Sequence, residues 1–413
     1  MVLRNSLLLA PLNNLNSEEF RNNYYNLELP EQEFFLKKIL NDKYSPIFLN
    51  YINKNNLQDI FIDQELTSLK EQSKRFQVQS LEIVKELIYI NKLFKKNSLN
   101  PIYLKGSALM NEYSDISLRP AVDIDIFFEG EEVFNAYKIL YENLYNEPGL
   151  IYRSKKELKE YIKNNHHLPP LYGESNIMIE IHCRITREVD FKDCPLSQQV
   201  VKNKRSVNFY GSNINIPSIE DIIVHQLIHF SLNSRFNNLL RIFSDIRQLE
   251  KNYIIDWKKI YNKNKDEKIR KALSLSLEIL NYHFTLTNRF IDLKNHYGSY
   301  FPENEVVLEA YNKTFDLKKR KMNEELLYKL GKENVFRDFL KIIFSRKIFL
   351  SAEEIISEYN ISKPNYSKVI YFRILSFFSR FANFWPLIIN LFLKKGTVFQ
   401  DFKSIKRVED WLN

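Results

Sequence analysis

The sequence has little of what punctuates a chain. Only 8 glycines and 13 prolines occur among 413 residues. That excludes an architecture of many short strands and tight turns, and a mostly helical protein with a modest sheet is expected. Cysteine is nearly absent: Cys183 and Cys194 form no CxxC pair and no disulfide framework, which fits a reducing cytoplasm. There is no internal repeat and no low-complexity tract. The patterns GxxxxGK[ST] and GxGxxG are both missing, which excludes a P-loop and a dinucleotide-binding fingerprint. No Ser-His-Asp or Cys-His arrangement stands out. The apolar run Leu7 to Leu12 is as short as the core of a leader peptide can be and lacks a clear cleavage site, so no leader is expected.

What is present is apolar and basic. Hydrophobic residues make up 44% and aromatic residues 14%, enough to pack cores over most of the chain. The length points to two or three domains. The net charge of +9 comes from 60 basic and 51 acidic residues spread along the chain. Such a surface is that of an ordinary soluble Lys-rich protein, or one that attracts nucleic acid, acidic lipid or nucleotide phosphates. The longest apolar stretch, Val369 to Leu393, is interrupted by Arg373, Arg380, Asn383 and Pro386. Charges inside a span are costly. A buried or partner-facing helix pair, an interfacial amphipathic segment and a true span are the three readings, with the span the least favoured.

Periodicity divides the chain. Residues 16–98 read as helical, the longest stretch running from Gln64 to Lys96 with Leu81, Ile83, Val84, Leu87 and Ile88 at helical spacing. Pro101 to Leu104 suits a buried strand, Lys105-Gly106-Ser107 a turn, and Ala108 to Tyr113 a helix start. VDIDIFF (122–128) and IMIEIHCRI (177–185) alternate and read as strands, with a helix from Glu131 to Leu144 between them. Val207 to Ile216 is read as a further strand bounded by Gly211; helices are expected at Ile219 to Leu232 and Asn238 to Glu250. The fold class is α+β: a small mixed sheet flanked by helices, with largely helical extensions at both ends. The expected divisions are a helical N-terminal region (1–75), a core (76–217), a helical domain (218–345) and a helical, aromatic C-terminal extension (346–413).

The chemistry concentrates in the two strands. Residues i and i+2 of a strand share a face, so Asp123 and Asp125 project together while Val122, Ile124, Ile126 and Phe128 point into the core. Adjacent carboxylates repel, and a divalent cation between them relieves the cost; magnesium favours a few carboxylates plus substrate phosphates. On the second strand Glu180 shares its face with Met178, His182 and Arg184, opposite Ile177, Ile179, Ile181, Cys183 and Ile185. If the strands are neighbours, Glu180 joins the two aspartates, and three carboxylates can bind one or two metals and polarise an attacking hydroxyl. The plain alternative is a half-exposed strand with ordinary surface polars. The Gly106-Ser107 turn offers N–H groups and a hydroxyl to an anion, and Lys105 and Arg119 can neutralise triphosphate oxygens.

This order of strand, Gly-Ser turn, helix, DxD strand and later ExH strand resembles the nucleotidyltransferase fold of the DNA polymerase beta superfamily. Within it, the chain is similar to an uncharacterised nucleotidyltransferase family found in bacteria. The resemblance rests on YLKGSAL (103–109), LRPAVDIDIFF (118–128), HHLPPLY (166–172), IEIHCRI (179–185), HQLIHF (225–230) and RIFSDIRQL (241–249). It covers roughly residues 75–255, and more weakly to about 380. It implies Asp123 and Asp125 as ligands of the metal that bridges the triphosphate, and Glu180 as third carboxylate and proton acceptor. Gly106 and Ser107 would hold the terminal phosphates, Lys105 and Arg119 would add positive charge, and His182 would orient Glu180 or contact nucleotide. The 17 positions from Gly106 to Asp123 exceed the superfamily's usual gap.

The implied activity is a metal-dependent transfer of a nucleoside monophosphate from a triphosphate, with ATP expected as donor, to a hydroxyl, releasing pyrophosphate. Mg2+ or Mn2+ is the expected metal. The acceptor stays open among small molecule, sugar, protein and tRNA, and no DNA is expected. A cytoplasmic location follows, with peripheral membrane contact through 369–393 as an open addition. Two other functions stand beside this one: a toxin-like transferase acting on tRNA, and a non-catalytic scaffold that retains the fold. His225 and His229 share a helix face and are read as packing, because Gln226 replaces the Glu of a zinc-protease motif. Asp245, between Arg241 and Arg247, is read as a helix-surface or interhelix pair. His166 and His167 are read either as loop residues or as neighbours of the acceptor.

Overall fold

The computed structural model describes residues 2–147, 153–186, 195–233, 236, 239–283, 288–314, 355, 367–377, 407–408 and 410–412. Two compact units are present, residues 1–302 with 313–317 and residues 303–312 with 318–413. In the second, Arg407 pairs with Glu305 and, at 2.9 Å, with Glu309. The first carries the sheet and the site.

That unit opens with five short helices, α1 (Val2–Leu8), α2 (Ala10–Asn13), α3 (Ser17–Tyr25), α4 (Leu29–Asn41) and α5 (Ser45–Lys54). Asn16 caps α3 by accepting the Glu19 N–H at 2.8 Å, and Glu18 and Glu19 complement its dipole. Phe20, Tyr24, Phe35, Phe48, Tyr51 and Phe61 close this layer as one ring cluster. The 34-residue helix α6 (Asp63–Lys96) follows, burying Ile83, Val84, Leu87, Ile90 and Phe94 along one stripe. Its buried Asn91 donates to Ser212 Oγ at 2.9 Å and to the Asn213 carbonyl at 3.1 Å, fixing α6 to the sheet.

The remaining elements of this unit are β1 (Ile102–Tyr103), α7 (Lys105–Leu109), β2 (Asp123–Phe127), α8 (Glu132–Glu142), α9 (Lys155–Tyr161), β3 (Leu171–Tyr172), β4 (Met178–His182), α10 (Pro195–Asn203), β5 (Arg205–Phe209), β6 (Ser212–Ile216), α11 (Ile219–Ile228), α12 (Leu239–Asn252), α13 (Trp257–Lys263), α14 (Glu267–His283) and α15 (Asn288–Tyr297); most of α16 (Asn304–Thr314) belongs to the second. Among the described residues, one mixed sheet of six strands runs β3-β4-β2-β1-β6-β5. β2 lies parallel to β4 and antiparallel to β1. Ile124, Ile126, Ile179 and Ile181 are each no more than 1% exposed; α6 packs on β2, and α8 on β4. The fold is therefore the expected α+β class, with helices flanking one small mixed sheet.

Two local expectations change. Val207 to Ile216 is not one strand but the hairpin β5–β6. Tyr210 (φ 47°) and Gly211 (φ 79°) form its two-residue turn, which suits the twist of paired strands, and Asn208 Oδ1 accepts the Gly211 N–H at 2.9 Å. At the other turn, Lys105 itself is left-handed (φ 43°), and Gly106 and Ser107 already belong to α7. Among the described residues no helix is long and apolar enough to cross a membrane. Most of the stretch 369–393, and Cys194, lie outside them.

Candidate active site

Parallel pairing of β2 with β4 sets Asp125 directly opposite Glu180 and Phe127 opposite His182. The strand repeat of two then puts Asp123, Asp125, Glu180 and His182 on one face of the sheet. The donor atoms of Asp125, Glu180 and His182 lie within 4.8 Å of one another. Asp123 is outside that set, half-buried at the start of β2. Lys105, from the turn into α7, donates to Asp125 Oδ1 at 2.6 Å and stands 4.0 Å from Glu180. His182 Nε2 meets the same Asp125 oxygen at 2.7 Å and Glu180 at 3.5 Å. His167, bridged to His182 along the backbone, brings its ring to 3.9 Å from Glu180. Five of the seven histidines, His166, His167, His182, His225 and His229, gather around these acids.

Burial and neighbours push the acids apart. Asp123 is raised to about 6, by burial first and then by the Asp125 charge. Burial would raise Asp125 too, but the Lys105 ammonium and the His182 hydrogen bond hold it well below the usual carboxylate range. Burial and the Asp125 charge would raise Glu180, but the His182 hydrogen bond together with the His167 and His182 charges leaves it lowered. For His182, burial and Lys105 act downward, yet its bonds to Asp125 and Glu180 leave the ring raised. Burial depresses His167. His225 is held well below its usual value and His229 at about 3, by burial and then by the Lys105 charge. Both are therefore neutral, and α11, which carries His225, packs on α7.

These donors fit a divalent cation. Asp125 is 1% exposed, and its Oδ2 has no hydrogen-bond partner. A buried carboxylate oxygen without a donor is costly unless something charged meets it. Two carboxylates suit magnesium, and an added imidazole suits manganese and later metals. Among the described residues, Asp125, Glu180 and His182 form a group able to hold a divalent ion; Asp123, expected from the sequence as a ligand, stands outside this group, and His182 is part of it.

The other expected phosphate ligands lie differently. Ser107 is fully buried, and its hydroxyl has no partner. A Cβ on Gly106 would come within 3.0 Å of the Ala121 Cβ, so space rather than conformation requires glycine there. Arg119 is 4% exposed; its Nε donates to Asp245 at 2.6 Å and its Nη1 to the Pro120 carbonyl at 3.0 Å. Asp245 is fully buried and also accepts from the Tyr113 hydroxyl at 2.8 Å. It is not on a helix surface: it fastens α12 to the loop that leads into β2.

Two residues near the acids had no settled role in the sequence. His167 was read either as a loop residue or as a neighbour of the acceptor, and Arg241 only as a flank of Asp245. Arg241, in the stretch RIFSDIRQL, is half-buried on α12 and donates to the Pro120 carbonyl at 2.7 Å.

A comparison with protein families finds one described as an uncharacterised nucleotidyltransferase, whose model matches residues 31–285. No curated protein and no solved structure matches the chain. The matched span exceeds half of the 413 residues and contains β2, β4 and the three-donor group built on them, so the chain belongs to this nucleotidyltransferase family.

Proposed function

We propose that the protein is a metal-dependent nucleotidyltransferase that moves a nucleoside monophosphate from a triphosphate, ATP in the first instance, to a hydroxyl acceptor and releases pyrophosphate. The observation that carries this reading is the buried Asp125, its Oδ2 unpartnered, grouped with Glu180 and His182 inside the family's matched span. Asp123, Asp125, Glu180 and His182 would hold Mg2+ or Mn2+, which when bound offsets phosphate charge and polarises the acceptor oxygen. Lys105 keeps Asp125 ionised and in place through its 2.6 Å contact. His182 orients Asp125 and Glu180 by sharing one ring nitrogen between them. Glu180, held as a carboxylate, takes the acceptor's proton as the new P–O bond forms and the bond to pyrophosphate breaks. Gly106, Ser107 and Arg119 shape the phosphate end of this site. The acceptor belongs to the classes of small molecule, sugar, protein side chain or tRNA.

Calorimetric titration with ATP, GTP, CTP and UTP in the presence of Mg2+, on the wild type and on Asp123→Asn/Asp125→Asn, tests the reading. One triphosphate is expected to bind, to require the metal and to be lost in the variant. A folded wild type that binds none of the four, with Mg2+ or with Mn2+, sinks it and favours the scaffold.

A further inference from the structure

We propose that Arg241, rather than Arg119, is the arginine that binds the triphosphate tail of the nucleotide. This inference rests on the nucleotidyltransferase reading and names a ligand for its substrate. A triphosphate needs cationic donors that are not already neutralised. Lys105 is engaged by Asp125 at 2.6 Å. Arg119 is 4% exposed and held by Asp245 at 2.6 Å and by Pro120; freeing it would strand a fully buried aspartate.

Arg241 stands differently. It lies on α12 one turn before Asp245, and its Nη2 donates to the Pro120 carbonyl at 2.7 Å, three positions before Asp123. Among the described residues that is its one hydrogen bond, and it forms no ion pair with a carboxylate. It is within electrostatic reach of Asp123 and His229, which places it beside the acid face of the sheet. Arg119 and Arg241 both feel the Asp245 and Asp123 charges, but Asp245 is bonded to Arg119. Arg241 is left without an ion pair among the described residues, and burial and the Arg119 charge disfavour its charged form, so an anion placed against it relieves repulsion already present. The planar guanidinium presents two parallel N–H donors, a match for phosphate oxygens. A base-rich group thus adjoins an acid-rich group, which is the charge order a metal-bound triphosphate requires.

The test compares wild type, Arg241→Gln and Arg241→Lys by calorimetry. The probes are Mg2+ with ATP, GTP, CTP and UTP, and then the monophosphate of whichever binds. Arg241→Gln is expected to weaken the triphosphate by roughly 10- to 100-fold, the worth of a charge-assisted hydrogen bond, and to leave the monophosphate within about twofold. Arg241→Lys recovers part of the loss. Unchanged triphosphate binding in Arg241→Gln overturns the inference and leaves the proposed function standing. Equal weakening of triphosphate and monophosphate overturns it as well, since Arg241 would then only support α12. A folded wild type that binds no triphosphate removes both. A measurement on the wild type covers a variant that fails to fold. Phenylglyoxal labelling read by mass spectrometry should modify Arg241, spare the buried Arg119, and lose the Arg241 label when the magnesium triphosphate is present. Labelling of Arg241 that the triphosphate does not reduce counts against the proposal.

Discussion

Two buried ion clusters lie a few residues apart on one run of chain, and they are built on opposite principles. At residues 119–120 the loop before β2 is clasped: Arg119 pairs with Asp245, Tyr113 adds a second donor to the same oxygen, and Pro120 receives both arginines. Four positions on, Asp123, Asp125 and Glu180 crowd on one sheet face around a single lysine and a histidine. In the clasp, burial acts against the Arg119 charge, but the charge and hydrogen bond of Asp245, with Tyr113 and Asp123, leave that charge reinforced. In the acid cluster, the same proximity splits neighbours, sending Asp123 up to about 6 and Asp125 well below its usual range. Each cluster leaves one buried carboxylate oxygen without a hydrogen-bond partner, Asp245 Oδ2 in the clasp and Asp125 Oδ2 on the acid face; what sets the acid face apart is the convergence of Asp125, Glu180 and His182 within 4.8 Å, the arrangement of groups poised for a ligand.

The largest effect that can break this contrast comes from paired replacements. Asp245→Ala should cost about 3–5 kcal/mol of unfolding free energy, because it strands the buried Arg119, and Asp125→Ala should cost less, because the half-buried Lys105 keeps Glu180 at 4.0 Å; urea denaturation measures both. Replacing both partners by apolar residues should restore much of that stability in either cluster. Nucleotide transfer then separates them. Arg119→Met/Asp245→Leu should keep activity within about tenfold, whereas Lys105→Met/Asp125→Leu should lose on the order of a thousandfold, equivalent to about 4 kcal/mol of transition-state stabilisation. Equal loss in both pairs would mean that the clasp is as functional as the acid face.

Part of the contrast was legible in the sequence. The alternation of VDIDIFF and IMIEIHCRI assigns the apolar and acid faces of both strands, and the structure keeps that alternation at Ile124, Ile126, Ile179 and Ile181. Pairing was not legible. That Asp125 meets Glu180, and that His182 shares Asp125 with Lys105, depends on register across residues far apart in the chain. Arg119 and Asp245 are 126 positions apart, and periodicity on α12 says nothing about a partner so distant. The β5–β6 hairpin was missed because its turn is Tyr-Gly, with a bulky residue at a positive-φ position where asparagine or aspartate is the usual signal.

A second, smaller effect sharpens the electrostatic side. An acid whose folded value lies above its unfolded value binds its proton more tightly in the folded state. Asp123, raised from 3.8 to about 6, therefore stabilises the metal-free fold at low pH, and that contribution is lost as the pH rises through about 6. The loss should be about 1–3 kcal/mol. Urea midpoints of metal-free protein at pH 5 and pH 7 should show it, and Asp123→Asn should flatten the difference. Asp245→Asn should leave the slope in place, since the clasp holds no raised acid. Metal binding should weaken below about pH 6 in the wild type, because the proton competes for Asp123. A slope unchanged by Asp123→Asn would place the titrating group elsewhere.

The smallest effect lies at the joint between the two clusters. Gly106 follows the lysine of one cluster and abuts Ala121, which sits between Arg119 of the other and Asp123. A methyl group there would stand 3.0 Å from the Ala121 Cβ and 3.8 Å from Arg119 Nη1. The alanine is carried on backbone and has no flexible end to move aside, so Gly106→Ala should cost about 1 kcal/mol, the low end for overpacking. Because the shift falls on the loop that leads into β2, triphosphate binding should weaken with it. Ala121→Gly removes the obstructing methyl, so Gly106→Ala/Ala121→Gly should regain binding even if the added glycine lowers stability slightly. Recovery would show that the glycine is a spacer keeping the clasp and the acid face in register. Binding that stays weak in the double variant would instead show that the substrate itself approaches Gly106, and the two clusters would then have to be regarded as one site.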